Sequence, residues 1–124
     1  MAGLTLDAGA LIAYERGQER IRKILAVGYE RGLVPTIPAV AVAGIWRGDA
    51  KDARVARLLK ASSIEILDER IARAAGSLRR TTRGANAIDA CIAVGVRRRG
   101  DAIATSDPGD MRALLGEGFT ILTV

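Results

Sequence analysis

Two short apolar stretches of the chain each run into an aspartate. Leu4-Thr5-Leu6 ends at Asp7, and Ala102-Ile103-Ala104-Thr105-Ser106 ends at Asp107. A third carboxylate, Asp89, lies inside the apolar run 87–96. In open α/β sheets, ligands bind beyond the carboxyl ends of the strands, where the strand order reverses. If the strands ahead of Asp7 and Asp107 are neighbours, the two carboxylates converge there. Clustered carboxylates repel one another and partly protonate unless a cation joins them. Oxygen ligands with open water positions suit Mg²⁺, with Mn²⁺ as a substitute. Such an ion lowers the pKa of a bound water and stabilises a phosphoryl transition state. The chain contains no histidine, so imidazole-based catalysis is excluded and metal chemistry is the most economical route left.

Each acid also has a purely structural reading. Asp7 could cap a helix at 8–16, and Asp107, standing before Pro108, could cap another. Asp110 fits a first-turn helix charge favoured by the macrodipole as well as it fits an accessory ligand. Asp89 is flanked by Ile88, Ala90, Cys91, Ile92 and Ala93. An unpaired carboxylate among such neighbours is costly, so its alternative is a salt bridge to an arginine. Asn86 precedes Asp89 by three residues, a spacing that shares a helix face. With Thr105 and Ser106 it completes the accessory candidates. Arg79, Arg80 and Arg83 border the loop that leads to Asn86 and Asp89, where they could hold a phosphate. Arg97-Arg98-Arg99 reads as a solvated helix end, with cations complementing the dipole.

The elements that must position these residues alternate along the chain. Residues 3–6 form a first strand, 8–16 a helix, and Ile21, Ile24, Leu25 and Tyr29 one face of a second helix that Gly32 caps. Leu33 to Ile37 reads as a second strand, and Pro38 opens a helix to about Trp46, broken by Gly48-Asp49. Val55, Leu58 and Leu59 mark a basic helix. Ile64 to Leu67 is a third strand with one outward charge, Glu65. Asp68 N-caps a helix to about Thr82. A loop at 81–85 precedes a helix over 87–99, which Gly100 ends. Residues 101–105 form a fourth strand, Pro108 to Leu115 a short helix, and Phe119 to Val124 a final strand. Strict alternation implies an α/β fold whose parallel sheet is covered on both faces. Leu11, Tyr14, Ile21, Ile24 and Leu25 read as core, or as an apolar groove for a partner peptide.

Composition bounds the rest. The 124 residues suit a single domain, 1–124, with a real core. Hydrophobic residues make up 49% and charged residues 27%, a globular balance. The net charge is +5, and all but three of the 19 basic residues are arginine. That surface favours polyanions. With so few aromatics for base stacking, arginine–phosphate contacts would dominate binding to a nucleic acid. The lone Cys91 permits no internal disulfide and reads as a buried, inert thiol. The absence of a basic, apolar leader and of a span-length apolar run points to a cytoplasmic protein with no membrane partner. The chain also lacks the glycine motif of a P-loop or dinucleotide binder. Gly9 stands where a haloacid-type phosphatase needs a second aspartate, and no lysine follows Lys60 as a receiver domain would require.

Four blocks, in order, carry a resemblance: Leu4-Thr5-Leu6-Asp7-Ala8-Gly9-Ala10-Leu11-Ile12-Ala13, Ile37-Pro38-Ala39-Val40-Ala41-Val42-Ala43, Asn86-Ala87-Ile88-Asp89-Ala90 and Ala104-Thr105-Ser106-Asp107-Pro108. Together they resemble the blocks of PIN-domain ribonucleases, nearest to the VapC-like toxins of bacterial toxin–antitoxin pairs. The resemblance implies a three-layer fold with a five-stranded parallel sheet and Mg²⁺-dependent endoribonuclease activity. It also implies a homodimer and neutralisation by a small antitoxin. On that pattern Asp7, Asp89 and Asp107 match the metal-binding acids. Two positions depart from it. Gly44 stands where the helix after Pro38 usually brings a glutamate, and Asn86 where relatives often carry an aspartate. Both departures lower the negative charge available to a cation. They open a second reading, a catalytically weakened protein of the same fold that acts by binding an antitoxin or RNA.

Overall fold

The computed structural model describes residues 3–124. Five short strands form one sheet: β1 (Leu4–Leu6), β2 (Thr36–Pro38), β3 (Ser63–Glu65), β4 (Ala102–Thr105) and β5 (Ile121–Thr123). The order is β3-β2-β1-β4-β5 and every pairing is parallel. Seven helices connect them: α1 (Ala8–Glu15), α2 (Glu19–Glu30), α3 (Ala39–Ala43), α4 (Ala53–Lys60), α5 (Glu69–Thr81), α6 (Ala87–Arg99) and α7 (Pro108–Leu115). This is the expected α/β three-layer arrangement. β1 and β4 are buried at every position, as central strands of a parallel sheet must be when helices cover both faces.

β1 is the centre of the sheet and the point where its order reverses. The chain first builds outward through β2 and β3, then returns to lay β4 against the other side of β1. Leu4, Thr5 and Leu6 pair with Ala102, Ile103 and Ala104. The core gathers around this pair: Leu6, Leu11, Ile21, Ile37, Ile92, Ile103 and Met111 are fully buried. Leu11, Ile21 and Leu25 are ordinary core, with Tyr14 and Ile24 packed partly buried against it. Cys91 is half-buried, and burial pushes its thiol above the usual range, consistent with an inert role.

Several boundaries differ from the sequence reading, each for a local reason. The second strand starts at Thr36 rather than Leu33, and Val34 stands 62% exposed in the approach to it. The helix after Pro38 stops at Ala43 instead of about Trp46. Beyond it, buried Asp52 accepts the backbone N–H groups of Arg47, Gly48 and Asp49, which bends the chain into a loop. The third strand ends at Glu65, leaving Ile66 and Leu67 exposed. The final strand is trimmed to Ile121–Thr123.

The Glu65 and Arg99 readings are corrected together. Glu65 does not point outward into solvent; its side chain is 10% exposed and pairs with Arg98 and Arg99. Arg99 also donates to Asp101 Oδ2 at 2.9 Å and to Thr5 Oγ1 at 2.9 Å. Thr5 in turn donates to Asp101 Oδ2 at 2.8 Å. Arg97 donates to the Leu114 carbonyl. Arg97 and Arg98 stay exposed, as a solvated helix end would be, while Arg99 folds back to tie α6 to Thr5 of β1, Glu65 of β3 and Asp101 just ahead of β4. It can do so because Gly100 takes the left-handed conformation, φ 71°, that turns the chain sharply after α6.

Arg99→Met should lower the stability to urea unfolding by about 3 kcal/mol, since it leaves shielded Asp101 with no cation and Glu65 with Arg98 alone. A loss below about 1 kcal/mol, the net worth of one ordinary hydrogen bond, would show that this network is not what clamps α6 to the sheet.

Candidate functional site

The carboxyl ends of β1 and β4 lie side by side, and the chain continues from each into an aspartate. Asp7 is 5% exposed. Its backbone N–H donates to the Ala104 carbonyl, extending the strand pairing by one residue. Its Oδ1 accepts the Ala10 N–H at 2.9 Å, so Asp7 is indeed the N-cap of α1. The cap and the candidate ligand are thus the same side chain, and one carboxylate oxygen remains beyond the capping bond. Thr105, fully buried at the end of β4, links the two acids: its hydroxyl hydrogen-bonds Asp7 and accepts the Asp107 N–H at 2.9 Å.

Asp107 occupies the N-cap position of α7 but makes no side-chain capping bond. Its carboxylate is exposed and uncommitted, so the capping alternative fails for this residue. Asp89 sits in the first turn of α6, half-buried. Asn86 caps that helix by accepting the Asp89 N–H at 2.8 Å, and its amide donates to Asp89 Oδ2 at 2.9 Å. Among the described residues no ion pair involves Asp7, Asp89 or Asp107. The arginine partner considered for Asp89 is therefore replaced by a neutral amide.

Electrostatics binds the acids into one group. Burial raises the Asp7 carboxyl above its ordinary value; the hydrogen bonds from Thr105 and Ala10 oppose this, and the charges of Asp89 and Asp107 add to it. Asp89 is likewise raised, first by burial and then by Asp107 and Asp110, against the Asn86 hydrogen bond. Asp7 therefore feels the charges of Asp89 and Asp107, and Asp89 those of Asp107 and Asp110. These acids are not drawn into a closed ligand set: among the described residues no three His, Cys, Asp or Glu side chains are grouped as a metal site requires. One oxygen of Asp7 is held by the Ala10 N–H of α1, and one of Asp89 by the Asn86 amide. The donors are all hard oxygens under mutual repulsion, a set whose chemistry fits Mg²⁺ or Mn²⁺.

The surroundings are mixed. Asn86, Asp89 and Asp110 line one cleft together with Arg83. Arg79 donates from Nε to the Ala85 carbonyl, fixing the loop that carries Arg83, while Arg80 stays exposed beside it. Ser106, between the two site residues Thr105 and Asp107, packs on Gly9. A Cβ at position 9 would fall 2.0 Å from Ser106 Oγ and 2.8 Å from its Cβ. Gly9 is what lets the first turn of α1 approach the end of β4. The spacing Asp7-x-Gly9 was the available signal for that contact, though in sequence it served only to exclude a phosphatase. Gly44 ends α3 as its C-cap rather than lying in the helix interior. A Cβ there would lie 3.3 Å from both the Ala41 carbonyl oxygen and the Cβ of Ala8, the residue that follows Asp7 in the chain.

Comparison with known proteins agrees with this fold. The family model of the PIN domain matches residues 4–114. No curated protein matches. Among solved structures, VapBC2 of Rickettsia felis bound to a promoter DNA fragment aligns with a TM-score of 0.76 at 10% identity, covering 98% of both chains. A toxin–antitoxin complex from Klebsiella pneumoniae gives 0.75 at 16% identity, over 98% of this chain and 97% of that one. DNA-bound VapBC from Salmonella typhimurium gives 0.71 at 18% identity, over 99% and 98%. At such identities the likeness is one of fold.

The raised carboxyls set the sign of a pH effect. A carboxyl raised in the fold binds its proton more tightly than in the unfolded chain. Stability therefore falls as pH climbs through 3.8, the ordinary aspartate value, toward the raised one. Asp89→Asn should be more stable than the parent at pH 7 in EDTA, with the two melting curves converging below pH 3.8. Equal melting temperatures at pH 7 would mean that the acids do not strain the fold.

Proposed function

The chain belongs to the PIN-domain family, and from that premise we propose that it is a Mg²⁺-dependent endoribonuclease, the toxin of a toxin–antitoxin pair. The observation that carries this reading is the β1–β4 pairing. It sets Asp7 and Asp107 at adjacent strand ends, with Asp89 within electrostatic reach and without a cationic partner. Asp7, Asp89 and Asp107 would hold the ion, with Asn86, Asp110, Thr105 and Ser106 as accessory groups. When bound, such an ion supplies an activated water and offsets the charge that develops on the phosphate.

The chain's own residues do the rest. Thr105 and the α1 N-terminus hold Asp7 in one orientation, and Asn86 does the same for Asp89. Arg83, on the loop braced by Arg79, stands at the lip of the cleft that contains Asp89, where a guanidinium can grip phosphate oxygens. Arg80 widens that positive rim. The absence of histidine removes the alternative route in which imidazoles move the protons. The Klebsiella pneumoniae structure of similar fold is a toxin–antitoxin complex, and the Rickettsia felis and Salmonella typhimurium ones are VapBC bound to DNA, which supports an antitoxin as the protein partner here. A homodimer is part of the same reading. No helix of the described residues is long and apolar enough to cross a membrane.

A second reading rests on Gly44. The position lies against Ala8, which follows Asp7 in the chain, and carries no side chain, so the site lacks the acid its relatives' pattern expects. In that case the protein acts chiefly by binding an antitoxin or RNA.

Purified protein incubated with structured RNAs and Mg²⁺ or Mn²⁺ should cleave them, and EDTA should stop it. Asp7→Ala, Asp89→Ala and Asp107→Ala should each lose more than the roughly 10–100-fold typical of losing a metal's supporting residues. Mg²⁺ should also raise the melting temperature of the parent but not of Asp89→Ala. Cleavage that survives EDTA and Asp89→Ala would defeat the metal-site reading. Gly44→Glu separates the two readings: its Cβ needs neighbours to yield only a few tenths of an ångström. A large gain of Mn²⁺-dependent cleavage would mark the parent as a weakened nuclease.

A further inference from the structure

Beyond the carboxylates lies a second cleft that this chemistry leaves unused. It has a volume of about 260 Å³ and opens between α1 and the carboxyl ends of β4 and β5. Ile12, Ala13 and Val124 give it an apolar wall, while Arg16, Gln18 and Ser106 supply polar groups. Ser106 joins it to the acid site, since Thr105 on one side of it bonds Asp7 and Asp107 follows on the other. Arg16 is exposed, and among the described residues no ion pair involves it. Gln18 takes the N-cap position of α2 but makes no side-chain capping bond, so its amide is free to serve a ligand.

We propose that this cleft is a nucleotide subsite, which receives the residue of a single-stranded RNA next to the scissile phosphate, with Arg16 on its phosphate and Gln18 on its base edge. The size limits the occupant: the cleft falls just under the roughly 300–1,000 Å³ of drug-sized pockets, enough for one nucleotide but not for a duplex. Its chemistry is that of a nucleotide, with an apolar surface for the base face, an amide that can donate and accept, and a planar cation for phosphate. Its position gives the strand a path. Arg83 lines the cleft that holds Asp89, and Arg16 the cleft that reaches Ser106 beside Asp107, so a strand lying in both would pass the acids with a cation in each. Extruded or unpaired bases are the targets such a surface can read. The subsite rests on the ribonuclease reading and goes beyond it by assigning strand path and substrate form.

The test measures binding of a fluorescent single-stranded oligoribonucleotide of mixed sequence to the full chain in EDTA, as a function of salt. Arg16→Ala should lower the slope of log affinity against log salt by about 0.7, the release expected for one single-strand phosphate contact. Arg16→Lys should restore the slope, because a lysine keeps the charge. Arg57→Ala, which removes an exposed cation of α4 outside the cleft, should leave it unchanged. Gln18→Ala should keep the slope yet flatten the differences in affinity among oligonucleotides of different base. An unchanged slope in Arg16→Ala, or an equal drop in Arg57→Ala, overturns the subsite while RNA binding and the nuclease reading stand. Failure of the parent to bind any RNA overturns both.

Discussion

The rest of the molecule depends on the parallel pairing of β1 with β4. Every other strand could shift a little without moving the acids, but these two carry Asp7 and Asp107 at their ends. Their register, with Leu6 beside Ala104, places the following residues level with each other. The pairing then continues past the strands, through the Asp7 N–H to Ala104 and through Thr105 to both acids. Gly9 closes the arrangement by letting α1 rest on Ser106. A side chain at position 9 would push the helix away from the strand end and open the site from behind.

Around this axis the chain treats its acids in two ways. Away from the strand ends, buried or shielded carboxylates are neutralised. Asp52 collects three backbone N–H groups and Arg47, Asp101 holds Arg99 and Thr5, and Glu65 holds Arg98 and Arg99. Asp7 at the end of β1 and Asp89 in the first turn of α6 receive hydrogen bonds from neutral groups only, and their carboxyls rise in response to burial first and then to neighbouring aspartates. In a chain with a net charge of +5, arginines were available for them. Leaving these acids without a cation keeps a negative spot within a positive surface. It destabilises the fold locally, and that is the condition under which a bound divalent ion gains most.

The arginines divide in the same manner. At the end of α6, Arg99 is structural, folded back onto the sheet, while Arg97 and Arg98 stay exposed. Those on the loop before α6, and Arg16 after α1, face the cleft edge. In sequence the run Arg97-Arg98-Arg99 is the more conspicuous cationic feature, yet three adjacent charges at a helix end can reach backward as easily as outward. Which way they turn depends on Glu65 and Asp101, which lie 34 residues before and two after Arg99 in the chain and are brought together only in the folded sheet.

The sequence by itself determined the alternation of strands and helices, the helix over 87–99, the cap at Asp68 and the cap offered for Asp7, and the positions of the three principal acids; that Asn86 caps α6 came only from the structure. These are local properties: apolar periodicity, side chains that bond their own backbone, and glycine or proline at element ends. The strand boundaries, the early stop of α3 and the burial of Glu65 were decided by tertiary structure, since each depends on partners distant in the chain. The convergence of the acids belongs to both levels. The chain marks Asp7 and Asp107 as strand ends, but only the strand order makes those ends neighbours. The Asp7 cap was legible because its amide partner lies three residues further on. The meeting of Asp7 with Asp107 was not, because it depends on pairing two strands that lie far apart in the chain.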